Sequence, residues 1–309
     1  MPTIRSILVP LDGSALAAQA LPWAADLARR ADARITLAEV HHGSAAERPA
    51  EEHYIAARAE ALRHRVREVR ERMLEGPVVP ALARQVTAEE ADLVVMATHA
   101  RSGVGRLWHG SVAETLVRRL AVPVLVIPPA ERVLTTAPAS TCRRIMVPLD
   151  GSFEAEAVLA PAMALAQLID AELLLVMVPL FDMPPAPGDL VAAAPILVPG
   201  QGGEVFQEDA RVYLDAVAVR VAARGCRVTS EVLEAILPAQ ALADRAAATD
   251  IGMVAIATHA GRVTRTLIGS VADQLLRTAG KPVLMLHSAG RQKAREAVPV
   301  RAAEAVAVS

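Results

Sequence analysis

The sequence predicts a tandem α/β protein, two doubly wound, five-stranded parallel sheets in one chain, and three observations carry that prediction. The chain has 309 residues, long for one core and comfortable for two domains of about 150 each. Its hydrophobic fraction is 53% while aromatics supply only 2%, so the interior must be built from Ala, Val, Leu and Ile, as in parallel sheets covered on both faces. The segment Ile7-Leu-Val-Pro-Leu-Asp-Gly-Ser14 recurs as Ile145-Met-Val-Pro-Leu-Asp-Gly-Ser152, an offset of 138 residues that marks two copies of one unit.

Two further repeats fix the copy boundaries. Val95-Met-Ala-Thr-His-Ala100 matches Ala255-Ile-Ala-Thr-His-Ala260, and Gly110-Ser-Val-Ala113 matches Gly269-Ser-Val-Ala272. Their offsets are 160 and 159, so copy two carries about twenty extra residues, placed at 179–203 where Pro184, Pro185, Pro187, Gly188, Pro199, Gly200, Gly202 and Gly203 oppose regular structure. That insertion is expected to be a mobile surface loop. The expected organisation is a first domain at 1–130, a linker at 131–141, a second domain at 142–288 and a tail at 289–309, frayed helix or disordered.

Short apolar runs alternate with amphipathic stretches, the pattern of successive βαβ units. In copy one this predicts strands at 7–10, 34–40, 69–74, 93–98 and 122–127, with helices at 15–30, 51–63, 78–89 and 112–120. Copy two is expected to repeat the strands at 145–148, 171–178, 227–234, 253–258 and 282–287. The third strand is the ambiguous one, because 65–72 carries enough charge to extend the preceding helix.

Composition also excludes. A net charge of -2 and so few aromatics give neither a basic field nor stacking platforms, which argues against nucleic acid. No apolar run approaches the ~18 residues a membrane span needs, and the N-terminus lacks a leader pattern, so a soluble, cytoplasmic protein is expected. Cys142 and Cys226 have no metal-like spacing and read as reduced thiols. His41, His42, His53 and His64 form no metal pattern, and His41-His42 reads as a loop lip.

The repeated polar residues fall at strand ends. A flavodoxin-like order has its switch point beside the first strand, and ligands bind outside the carboxyl ends of the strands flanking it. Asp12 and Asp150 follow strand one, while Thr98-His99 and Thr258-His259 close strand four, so neighbouring strands one and four would place these groups on one crevice. Gly110-Ser111-Val112 and Gly269-Ser270-Val271 open helices whose free N–H groups and dipole suit an anion, phosphate foremost. Each feature has a plainer role: Gly-Ser is ordinary capping, and a strand-end His more often fixes a loop than moves a proton. No nucleophile motif, Walker loop with Lys, or carboxylate pair supports hydrolysis, so a conventional enzyme is not expected.

The Val-Pro-Leu-Asp-Gly-Ser start, the Ala-Thr-His stretch, the Gly-Ser-Val-Ala helix start and the terminal strands at 123–126 and 282–285 resemble the universal stress protein family across 3–128 and 143–288. The resemblance implies a flavodoxin-like fold and an ATP-binding branch marked by Gly-x2-Gly-x9-Gly followed by Ser or Thr. Copy one reads Ala97-Thr-His-Ala100, nine residues, then Gly110-Ser111; copy two reads Ala257-Thr-His-Ala260, eight residues, then Gly269-Ser270. Both copies lack the leading glycines, so a Cβ at 100 or 260 stands where close phosphate approach needs none.

Carried over residue by residue, the resemblance implies a nucleotide site in copy one formed by Asp12, Val40 (adenine), Thr98, His99, Ala100, Arg101, Gly110, Ser111 and Val112. In copy two the corresponding set is Asp150, Val178, Thr258, His259, Gly269, Ser270 and Val271. It further implies ATP with or without Mg²⁺, strand pairing between 123–127 and 282–286 in an intramolecular pseudo-dimer, a stress-response role, unidentified protein partners and an open possibility of homodimers. Slow ATP hydrolysis also stays open. The competing expectation is an interaction module that lost nucleotide affinity with its glycines; an enzyme such as a nucleotide-dependent ligase or a flavin-linked carrier is a weaker third.

Overall fold

The computed structural model describes residues 4–41, 44, 46–97, 111–129, 141–179, 202–258 and 270–287. Copy one runs β1 (Ser6–Leu11), α1 (Leu21–Ala31), β2 (Arg34–Val40), α2 (Arg48–Arg63), β3 (Val69–Leu74), α3 (Val78–Ala88), β4 (Leu93–Ala97), α4 (Ser111–Arg119) and β5 (Val124–Ile127). Copy two runs β6 (Arg144–Pro148), α5 (Phe153–Glu156), α6 (Leu159–Ile169), β7 (Glu172–Met177), α7 (Gly202–Ala222), β8 (Val228–Val232), α8 (Pro238–Ala247), β9 (Met253–Thr258), α9 (Ser270–Thr278) and β10 (Val283–His287). Residues 131–140 of the linker, 180–201 of the insertion and the whole tail from 289 lie outside the described residues.

All ten strands join one sheet in the order β3-β2-β1-β4-β5-β10-β9-β6-β7-β8. Each copy is parallel throughout, and the order reverses beside its first strand, between β1 and β4 and between β6 and β9. The copies meet where β5 and β10 pair antiparallel, Val283 opposite Val126, Leu284 opposite Leu125 and Met285 opposite Val124. This is the pairing of terminal strands that the resemblance implies, and it covers two edges that would otherwise be open.

Apolar cores cover both faces. Ile7, Val9, Ile35 and Leu37 belong to one cluster with α1 and α2, continued across the junction by α6 and α7. Leu8, Val94, Val124 and Met146 belong to the other, against α3, α4, α8 and α9. Alternation along the inner strands thus buries both sides, as the aliphatic composition requires, while the edge strands β3 and β8 stay partly exposed.

Several boundaries differ from the sequence reading for local reasons. The predicted helix at 15–30 is a 3₁₀ turn at Ala17–Ala20 followed by α1, whose Pro22 sits in the first turn where its missing N–H costs nothing. The helix predicted from 51 starts at Arg48, again with a proline, Pro49, in its first turn. The strand predicted from 122 starts at Val124, and Gly202 and Gly203, assigned to the loop, open α7. The ambiguous 69–74 segment is a strand at the outer edge of the sheet. Its Arg70 and Arg72 donate to the buried Glu89 at 2.9 Å each, which reconciles charge with strand structure. Burial opposes ionisation of Glu89, but those guanidinium groups hold its carboxyl below the usual range.

Candidate functional site: the crevice at the strand reversal

Where the strand order reverses, the sheet opens. β1 and β4 pair only through Ile7 with Leu93 and Leu8 with Val94, although β1 continues to Leu11 and β4 to Ala97. Copy two repeats this, with β6 and β9 pairing only through Ile145 with Met253 and Met146 with Val254. A proline helps to hold the gap. Leu149 donates its N–H to Val176 of β7, so the preceding position, Pro148, faces β9 and has no proton to offer it. Pro10 stands at the same place in copy one.

Asp12 lies at the mouth of this gap. Its Oδ1 accepts the N–H of Ser14 at 3.0 Å, and Ser14 Oγ accepts the N–H of Ala17 at 3.0 Å, fixing the turn through Gly13, whose φ is +76°. Copy two has the same turn: Asp150 Oδ1 accepts the N–H of Ser152 at 2.9 Å and its hydroxyl at 2.5 Å, with Gly151 at φ +82°. The pairing of β1 with β2 ends at Leu11 and Glu39, and Val40, buried and opposite Leu74 of β3, closes β2 one strand away from the gap. Val178 follows the end of β7 and is likewise buried.

The other sequence-predicted residues divide. The backbones of Ser111 and Ser270 open α4 and α9, and Val112 and Val271 pack into the core, leaving their backbone as the part able to meet a ligand. Thr258 is buried, and its carbonyl and hydroxyl lie 3.0 and 3.3 Å from His287 Nδ1 at the end of β10. Thr98, His99, Ala100, Arg101, Gly110, His259 and Gly269 lie outside the described residues.

Three copy-one groups at this site escaped the sequence reading. Glu39 of β2 is buried at 4% exposure directly below Gly13; a Cβ built on Gly13 would stand 3.7 Å from its Oε1. Glu51 of α2 approaches His41 Nδ1 at 2.5 Å, and Tyr54 donates its hydroxyl proton to the Ser14 carbonyl at 3.2 Å. Burial, then the charges of Glu51 and Asp12, raise the Glu39 carboxyl to about 7. In copy two the positions of Glu39, His41 and Glu51 hold Met177, Pro179 and Ala210. A Cβ on Gly151 would meet Met177 Cε at 3.8 Å, a methyl where copy one has a carboxylate. That mismatch was the available sequence signal.

Among the described residues no group of three His, Cys, Asp or Glu side chains could hold a metal ion, and no helix is long and apolar enough to cross a membrane. Cys142 and Cys226 are free and buried, and burial pushes the Cys142 thiol up to about 12, which keeps it an unreactive core group.

The universal stress protein family model matches the chain twice, at 3–128 and 141–287. Universal stress proteins of Mycobacterium tuberculosis and Mycobacterium bovis are each 29% identical over 203 residues, 64% of this chain; the chain spans 62% of their length. A universal stress protein structure from Archaeoglobus fulgidus matches with a TM-score of 0.68 at 18% identity, covering 91% of this chain and 96% of that one. One from Pseudomonas aeruginosa matches at 0.65 and 18%, covering 95% and 97%. Likenesses at that identity speak to fold, and they extend over both copies.

Proposed function

Because the chain belongs to the universal stress protein family, we propose that it is an adenine-nucleotide-binding regulatory protein whose copy-one crevice holds ATP and reports its occupancy to protein partners. The observation that carries this reading is the parting of β1 from β4 beyond Leu8 and Val94, which opens a crevice at Asp12 on the carboxyl side of the reversal. Around it stand the groups a nucleotide calls for. The Asp12 carboxylate can accept from ribose hydroxyls, backbone at Val40 can meet the base, and the N-terminus of α4 offers N–H groups to phosphate. In this reading the role is regulatory rather than enzymatic and the protein works in the cytoplasm, with Mg²⁺ accompanying the nucleotide.

One observation favours the competing reading, an interaction module of the same fold without nucleotide. The copy-one crevice presents Asp12, Glu39 and Glu51, and among the described residues no Lys or Arg side chain bonds to any of the three. Thermal unfolding with and without ATP and Mg²⁺ separates the two. A ligand bound only by the folded state raises Tm, and Asp12→Ala should abolish that rise while Asp150→Ala preserves it. An unchanged Tm at saturating ATP would favour the module.

A further inference from the structure

We propose that copy one is a proton-linked site: Glu39 is neutral when an anionic ligand fills the crevice and ionises when the ligand leaves. This rests on the nucleotide reading above and adds its regulation.

Glu39 is an anomaly of burial. Its Oε2 is buried without a hydrogen-bond partner among the described residues, and its Oε1 lies beneath Gly13. The groups that face it are Asp12 from the turn after β1, Glu51 and Tyr54 from α2, and His41 beyond β2, which is engaged with Glu51. Arg58 stacks on the Tyr54 ring at 5.0 Å from its centroid and forms no ion pair with Glu39. Among the described residues a carboxylate here has lost its water, gained no cation and acquired two like-charged neighbours, so its proton is held into the neutral range.

A nucleotide held by Asp12 brings the negative charge of its phosphates into the same crevice. Repulsion then raises the Glu39 carboxyl further, and binding takes up a proton. The ligand therefore binds more tightly as pH falls through neutrality. Copy two lacks the device, because Met177 and Ala210 replace both glutamates. In copy one protonation answers the objection raised by the acidic lining, because a proton on Glu39 neutralises one of the three carboxylates.

The test is titration calorimetry of the full chain with ATP and Mg²⁺ at several pH values from about 6 to 8, in buffers of different ionisation enthalpy, for wild type, Glu39→Gln and Glu39→Met. The second variant places the copy-two residue at this position, and a thermal melt confirms that each is folded. ATP's own titration is common to all three and cancels in the comparison. Across this range the wild-type Kd should rise about tenfold more than that of either variant, and wild type should take up more protons on binding. Parallel pH profiles in wild type and both variants would overturn the proton linkage and leave the nucleotide reading standing. Absence of binding at every pH in all three would overturn both.

Discussion

Leu125 of β5 lies opposite Leu284 of β10, and each is the other's counterpart in the repeat. The neighbouring pairs exchange roles about them, Val126 with Val283 and Val124 with Met285, so the pseudo-two-fold axis passes between the two leucines. One antiparallel register turns two five-stranded sheets into one of ten.

Both leucines are fully buried, so Leu125→Asp puts an unpaired charge at the axis. We expect it to destabilise the fold by more than about 3 kcal/mol in denaturant titration, with a similar loss for Leu284→Asp. A loss below about 1 kcal/mol would mean that the junction is not the structural centre of the molecule.

Gly252 precedes β9 against Cys142. A Cβ there would stand 2.8 Å from Cys142 Cα and 2.7 Å from its Sγ. Gly252→Ala should therefore cost about 1–3 kcal/mol. Adding Cys142→Ala should not restore it, because the backbone contact remains; full rescue would show that the thiol alone sets the limit.

The pseudo-two-fold axis relates two cavities at the junction. One, of about 330 Å³, is lined by Trp23 of α1 together with Cys142, Arg144 and Asp250. The other, of about 640 Å³, is lined by Pro161, Ala164 and Leu165 of α6 together with Arg34 and Asp92. Pro161 occupies the repeat position of Trp23, so Pro161→Trp should fill the larger cavity as Trp23 fills the smaller. The expected gain is about 1 kcal/mol, or roughly 2–4 °C in Tm. A lower Tm would show that α6 cannot admit the ring.

Glu39 also sets a stability profile without any ligand. Its carboxyl is raised from 4.5 to about 7 on folding, so the folded state binds the proton more tightly. Its contribution is fully present below the unfolded value and is lost as pH rises towards the folded one, by up to about 3 kcal/mol. Glu39→Gln should flatten wild-type stability between about pH 4.5 and 7; an equally sloped variant would place the titration elsewhere.

The fold was legible because its signals are local and doubled. Val-Pro-Leu-Asp-Gly-Ser appears twice, and each aliphatic run flanks a turn or a breaker. The edge strand at Val69–Leu74 was harder to read, since Arg70 and Arg72 look helical or exposed until Glu89, distant in sequence, is placed beside them. The strand-end position of Asp12 was legible because it repeats at Asp150. Glu39 was missed because nothing in Leu-Ala-Glu-Val marks a buried carboxyl; its environment comes from Gly13, Asp12 and Glu51, brought together only by the fold.

The proposed occupant of the crevice between β1 and β4 is an adenine nucleotide. Calorimetric titration of nucleotide-free protein with ATP and Mg²⁺, beside Asp12→Ala, tests it most directly. We expect saturable binding near or below about 100 μM in wild type, weakened at least tenfold by Asp12→Ala. No heat at millimolar ATP, or equal affinity in the variant, would contradict it.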